Sequence, residues 1–268
     1  MNADAASLVK VVRHESHVVE VVLDRPDAMN AVSTALASAL RAAAEEVAAD
    51  ESVRAVVLTS SGEKAFCVGA DLKERNSFTD DDLRAQRPGN RAAYRCLHDL
   101  AVPTIAAVDG YALGGGCELA LACDVIVASP RAVFALPEVA VGVIPGGGAT
   151  QLLVRRIGWS RAADLIFTAR RIDAEEAYRL GLADRVVAAP REEALALAAA
   201  IAANSPVGVR NAKKAMRLGQ DVPLDDGLNI ENECWADTAF SADRAEGVRA
   251  FAEKRPPQWP GWAARGGA

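Results

Sequence analysis

The chain has 268 residues, 51% apolar and 25% charged, with a formal net charge of −6. That length is enough for one large domain with a buried core, and the acidic balance offers no general attraction to nucleic acid or anionic membranes. Its longest apolar runs break well short of the roughly 18 residues that a membrane helix needs.

The N-terminal stretch MNADAASLVKVV lacks the basic start and apolar core of a secretory signal, and it is not an Arg- and Ser-rich transit peptide. Cys67, Cys96, Cys117, Cys123 and Cys234 are odd in number and form no CxxC. They read as small buried hydrophobes in a reducing compartment rather than a disulfide framework or zinc site. The expectation is therefore a cytoplasmic protein. His14 and His17 are three apart in what reads as a strand, hence on opposite faces, and His98 is the only other histidine. Neither a metal site nor a His-based triad is expected.

In chain order, VVRHESHVVEVVLDRP gives two β-rich runs, about 8–13 and 17–23, closed by the turn DRPDAMN. Ser33 is placed to cap a helix with Leu36, Leu40, Ala43 and Val47 on one face. VRAVVLT (53–59), TIAAVDG (104–110) and DVIVAS (124–129) read as buried strands with helical stretches between them. Such alternation argues crossover units and an α/β layer. Residues 73–98 are charged and irregular before turning helical, and SFTDDDLRAQRPGN reads as mobile. Beyond about 160 the pattern is helical, apart from a short strand near 185–187, and RPPQWPGWAARGGA ends regular structure. The expected organisation is an α/β core over 1–200 and a helical C-terminal region over 201–268.

The chemistry concentrates in GYALGGGCELALACD, residues 110–124. Glycines 114–116 lie between a strand and a helix, where the first amide N–H groups have no intrahelical partner and face outward with the positive end of the dipole. That suits an anion or a developing oxyanion; tight helix–sheet packing would also account for the glycines. Neither GxxxxGK[ST] nor GxGxxG is present. FCVGADLKER, with Gly69 before Ala70 and Asp71, offers a second such loop. Glu118 and Glu138 stand among apolar neighbours. They could simply compensate helix dipoles, or flank a reacting double bond, one managing water and one a proton.

The motifs AFCVGADLKE, PTIAAVDGYALGGGCELALACDVIVAS, FALPEVAVGVIPGGGATQLL and DRAEGVRAFAEKRPP, in this order, resemble the enoyl-CoA hydratase/isomerase (crotonase) family over nearly the whole chain. DLKER, PTIAAVDG, IPGGG and EKRPP bring it nearest to methylglutaconyl-CoA hydratase-like members. The resemblance implies a crotonase fold, a spiral of ββα units with a helical C-terminal region, assembled as a homotrimer or homohexamer. It also implies an acyl-CoA substrate whose thioester carbonyl sits between the amides of Ala70 and Gly115.

By the same resemblance, Glu118 holds and activates water, Glu138 exchanges a proton at the α-carbon, and Gly146 helps place the water. Ala28 and Ala70, Asp71, Leu72 and Lys73 line the path of the CoA, and Phe251 and Lys254 reach it near the end of the chain, in some members from a neighbouring subunit. No metal or redox cofactor is implied; coenzyme A is part of the substrate. The activity implied is hydration of a 2-enoyl-CoA. Methylglutaconyl-CoA hydration, enoyl-CoA isomerisation, which commonly uses a single acid, and a non-catalytic RNA-binding role are the alternatives.

Two departures stand out. Leu152 occupies a position where the family often has arginine, and STALASALRAAAEEVAAD carries Arg41 as its only cation, so RNA binding is not carried over. Arg75, Arg84, Arg87, Arg91 and Arg95 either form a solvated charged helix or could meet a second substrate carboxylate.

Overall fold

A computed structural model of the protein describes residues 8–262. β1 (Val9–His14) and β2 (Val18–Leu23) form an antiparallel hairpin, and α1 (Thr34–Ala49) follows. The Ser33 side chain accepts from the Leu36 amide and starts α1, which buries Leu36, Leu40, Ala43 and Val47 as the spacing predicts. His17 lies in the hairpin turn at φ 61°, outside both strands, so the two histidines are separated by a turn rather than by strand alternation.

Three turns of a repeated unit come next. Each contributes one strand to a large sheet, one short strand to a small sheet, and then helix. The pairs are β3 (Ala55–Ser60) with β4 (Ala65–Cys67), β5 (Thr104–Val108) with β6 (Tyr111–Leu113), and β7 (Val125–Ala128) with β8 (Val133–Ala135). β3, β5 and β7 are parallel neighbours in the large sheet, while β4, β6 and β8 are parallel neighbours in the small one. This is a crotonase spiral. β9 (Ile172–Asp173) and β10 (Arg185–Val186) close the edges of the small and large sheets respectively.

Strand alternation explains why the large sheet is apolar on both faces. Val56, Leu58, Ala106 and Val108 enter the main core, while Ala55, Val57, Ile105 and Ala107 pack under α8 (Pro190–Ala202) through Ala194, Ala198 and Ala202.

After β4 come α2 (Leu72–Arg75) and α3 (Asp80–Arg95). The stretch read as mobile is mostly helix. Thr79 and Asp82 form a reciprocal capping box, and Ala93 and Tyr94 are buried beneath it. Pro88 lies inside this helix, where an interior proline costs about 3 kcal/mol. The cap and the buried end offset that cost.

α4 (Gly115–Leu121) follows β6. α5 (Ala149–Ile157), α6 (Trp159–Thr168) and α7 (Ala174–Leu180) precede α8. Beyond residue 201, α9 (Pro206–Gly219), α10 (Leu224–Ala239) and α11 (Ala242–Glu253) follow. α9 is fastened by charge to the chain entering β5 and β7: Lys213 donates to the Val102 carbonyl at 2.6 Å and meets Asp124 at 2.7 Å, and Arg217 meets the other Asp124 oxygen at 2.7 Å. Among the described residues no helix is long and apolar enough to cross a membrane.

Candidate active site

The three small-sheet strands run parallel, with a register shift between Ala65 and Cys67 where β4 meets β6, and their C-terminal ends lie side by side. β4 exits into Gly69–Ala70, β6 into Gly114–Gly115, and β8 into the 3-10 turn Pro137–Val141 that carries Glu138. Ligand sites of parallel α/β sheets gather at such carboxyl ends. Residues separated by tens of positions in sequence thereby become neighbours.

The first two exits touch through backbone. Gly69 has φ +84°, and a Cβ there would stand 2.8 Å from both the Gly115 nitrogen and the Leu113 carbonyl oxygen. Gly116 is equally constrained, since a Cβ on it would run into the Cys67 carbonyl. Val32 forms a parallel bridge with Ala70 that uses the Gly69 carbonyl (2.7 Å) and the Asp71 amide (3.1 Å). Such a bridge leaves the Ala70 N–H on the opposite side of its strand. Gly115 is the first residue of α4, so its N–H also lacks an intrahelical acceptor. Neither amide has a hydrogen-bond partner among the described residues.

Glu118 is 3% exposed. Its Oε1 accepts from the Gly147 amide at 2.7 Å and the Ala149 amide at 3.1 Å. The carboxylate thus serves a loop preceding another helix, not the amides of its own first turn, so dipole compensation does not describe it. On balance burial raises its pKa, and the amides of residues 147–149 and the charge of Arg87 offset part of that rise.

Glu138 differs. Its Oε2 is buried without a hydrogen-bond partner, while Oε1 lies 2.9 Å from where a Gly114 Cβ would stand. Burial, with the neighbouring charge of Glu118, pushes this carboxyl up to about 7. The two acids therefore face one frame with different hydrogen-bond partners. Glu118 is an acceptor fixed by amides, and Glu138 is an acid that holds its proton near neutrality.

Gly146 lies in this loop, but the amides on Glu118 belong to Gly147 and Ala149; the Gly146 carbonyl accepts from Arg87 at 2.8 Å. Ala28 sits in the 3-10 turn Pro26–Ala28, and the adjoining chain is stitched to the Ala70 loop by Val68 N–H to Met29 O and by the Val32 bridge. Asp71 caps α2 by accepting from the Lys73 and Glu74 amides at 3.0 and 3.1 Å, and it holds Arg25 at 2.6 Å. Leu72 and Lys73 project outward beside it. Phe251 is 87% exposed on α11, and Lys254 caps that helix at φ 55°. α11 packs on α9 and α10.

Sequence reasoning missed Tyr94. It is 5% exposed, with its ring beside Gly147 and its hydroxyl over Gly115. Burial pushes its phenol far up, so it stays neutral. The available signal was its position seven residues after Arg87, on the same helix face. Of the arginines in this region, Arg84 pairs with Asp81 and Arg95 with Asp99.

Two unpartnered amides at one point, beside one amide-bound carboxylate and one bare carboxyl group, have the parts of an acid–base site with an oxyanion hole. The family model described as enoyl-CoA hydratase/isomerase matches residues 13–262. The mouse mitochondrial methylglutaconyl-CoA hydratase is 42% identical over 91% of this chain and 80% of its own length. A crystal structure of enoyl-CoA hydratase from Bacillus anthracis superposes with a TM-score of 0.92 at 41% identity, covering 95% of this chain and all of that one. One from Mycobacterium smegmatis gives 0.87 at 35%, covering 94% and 98%. The chain belongs to the enoyl-CoA hydratase/isomerase family.

Proposed function

We propose that this protein is an enoyl-CoA hydratase, adding water across the 2,3 double bond of a 2-enoyl-CoA thioester to give a 3-hydroxyacyl-CoA. The observation that carries this reading is the contrast between the two acids beside the paired amides. The thioester oxygen accepts from Ala70 and Gly115, which draws electron density from the double bond and leaves C3 electrophilic. Glu118, in the ionised form that the amides of Gly147 and Ala149 favour against its burial, takes a proton from a water whose oxygen bonds to C3. Glu138, its carboxyl raised to about 7 so that much of it keeps a proton at neutrality, gives that proton to C2. A proton then returns from Glu118 to Glu138, directly or through solvent, and the cycle closes with one water consumed. Polarisation and proton transfer are both supplied by the chain, so the reading needs no resident metal or redox group. Full activity in the presence of a chelator is expected.

The reading includes a homotrimer or homohexamer in which Phe251 and Lys254 complete the CoA site of a neighbouring subunit. Phe240, Phe251, Trp235, Leu224 and Met216 are all well exposed on the C-terminal helices, and exposed apolar groups in such number favour a covered interface. A monomer at micromolar concentration by light scattering would contradict it.

The test of function is a panel of crotonyl-CoA, a longer 2-enoyl-CoA, methylglutaconyl-CoA and a 3-enoyl-CoA. Hydration of one or more 2-enoyl thioesters is expected. Double-bond migration of the 3-enoyl thioester with no hydration would establish the isomerase instead.

A further inference from the structure

We propose that Arg87 is a positioning residue that holds Glu118 ionised through the one peptide group standing between them. The peptide linking Gly146 to Gly147 is bound at both ends. Its carbonyl accepts from Arg87 Nη2 at 2.8 Å, and its N–H donates to Glu118 Oε1 at 2.7 Å. A cation on the oxygen of an amide draws electron density from its nitrogen and strengthens the N–H as a donor, as in any polarised hydrogen-bond chain. The arrangement runs guanidinium, peptide, carboxylate, with the charges at its ends opposite in sign. The guanidinium also lies flat against the loop, with Nη1, Nη2 and Cζ at 3.1, 3.2 and 3.4 Å from where a Gly146 Cβ would stand. Among the described residues no carboxylate forms an ion pair with Arg87, unlike Arg84 and Arg95 on the same helix.

The surroundings of Glu118 contain few other charges. α3 presents Arg87 and the neutral Tyr94; the 3-10 turn after β8 presents Glu138; β4 presents Cys67, and α4 itself Cys117. Arg75 of α2 acts on Glu138 and Tyr94, and Arg156 of α5 reaches Cys117. Both thiols are held neutral by burial. Arg87 is thus the cation connected to Glu118 through a hydrogen-bonded path, and α3, with Pro88 and Gly89 next to it, is the element that delivers it.

The kinetic part of the test rests on the hydratase reading; the titration does not. Arg87→Met, Arg87→Lys and the control Arg84→Met would be compared. With a hydrated substrate, Arg87→Met should lower kcat about tenfold, the scale of one hydrogen bond to a charged group, with KM changed less than about twofold. Its acid limb of kcat/KM should move to higher pH, since losing the cation raises the Glu118 pKa. Arg87→Lys should recover most of the loss and Arg84→Met should match the wild type. Independently of any substrate, 13C NMR of labelled glutamate, assigned through Glu118→Gln, should show Glu118 titrating at higher pH in Arg87→Met than in the wild type. An unmoved Glu118 titration would overturn the proposal whatever the activity. So would a loss confined to KM, which would make Arg87 a substrate contact.

Discussion

The first turn of α4 and the 3-10 turn after β8 leave adjacent strands of one small sheet, and each carries a glutamate into the same space. In the first, a loop nearly thirty residues away supplies two amides to a single oxygen of Glu118. In the second, an oxygen of Glu138 is buried with nothing to bond. Two chemically identical side chains thereby meet different donors, and the proposed mechanism uses one as base and the other as acid. The difference lies in the donors that the fold brings to each carboxyl group, a division of roles that environment alone can impose.

Removing either acid is the severest way to break that comparison. Glu118→Gln and Glu138→Gln should each lower kcat for hydration by about 10²–10⁴, the range for acid–base catalysis, with KM little changed. The double variant should fall far short of the product of the two losses, because the acids act as a unit. If Glu118→Gln retained most hydration while Glu138→Gln lost it, a single-acid mechanism would replace the divided pair.

A backbone change tests whether both acids share one frame. Gly116→Ala drives a methyl group into the Cys67 carbonyl, forcing α4 and β4 apart at a cost of about 3 kcal/mol, the upper range for overpacking. Because those elements carry Gly115 and Ala70, kcat should fall with stability. Thermal unfolding and turnover measured on the same sample check both, and a variant with wild-type Tm would contradict the contact.

The smallest effect sharpens the comparison through stability. The folded Glu138 carboxyl sits near 7 against an ordinary 4.5. Between those values the native state keeps a proton that the unfolded chain releases, so stability falls as pH rises through this window. Glu138→Gln carries no charge at any pH. Its Tm should match the wild type near pH 4.5 and exceed it by about 2–4 °C at pH 8, about 1 kcal/mol for a chain of this size, because solvent screening of this half-buried group removes most of the roughly 3 kcal/mol that the full shift represents. An equal Tm at both pH values would mean that Glu138 bears no burial penalty.

Much of this is legible in the sequence, for physical reasons. The strands around Val56, Ile105 and Ile126 are β-branched runs buried on both faces, which periodicity detects, and Ser33 announces α1. The two acids and the glycine-rich turn stand out by composition alone, and the family motifs assign them roles. The small sheet does not show, because β4, β6 and β8 are three residues each and carry no period. That sheet is what makes Ala70, Gly115 and Glu138 neighbours. α3 reads as mobile because Pro88, Gly89 and its many charges mask a helix secured by a capping box and by the buried Asn90, Ala93 and Tyr94 in its second half. Tyr94 and the Arg87 link stay hidden for the same reason. The amides on Glu118 belong to residues 147 and 149, a fact of loop geometry that no side-chain pattern encodes.

The most direct test of the divided acid pair is the pH dependence of kcat/KM for hydration by the wild-type protein. The predicted profile is a bell, falling on the acid side as Glu118 takes a proton and on the basic side as Glu138 loses its own near pH 7. A profile that stays flat or keeps rising between about pH 7 and pH 9 would contradict the division, because Glu138 would then work without the proton it is held to donate.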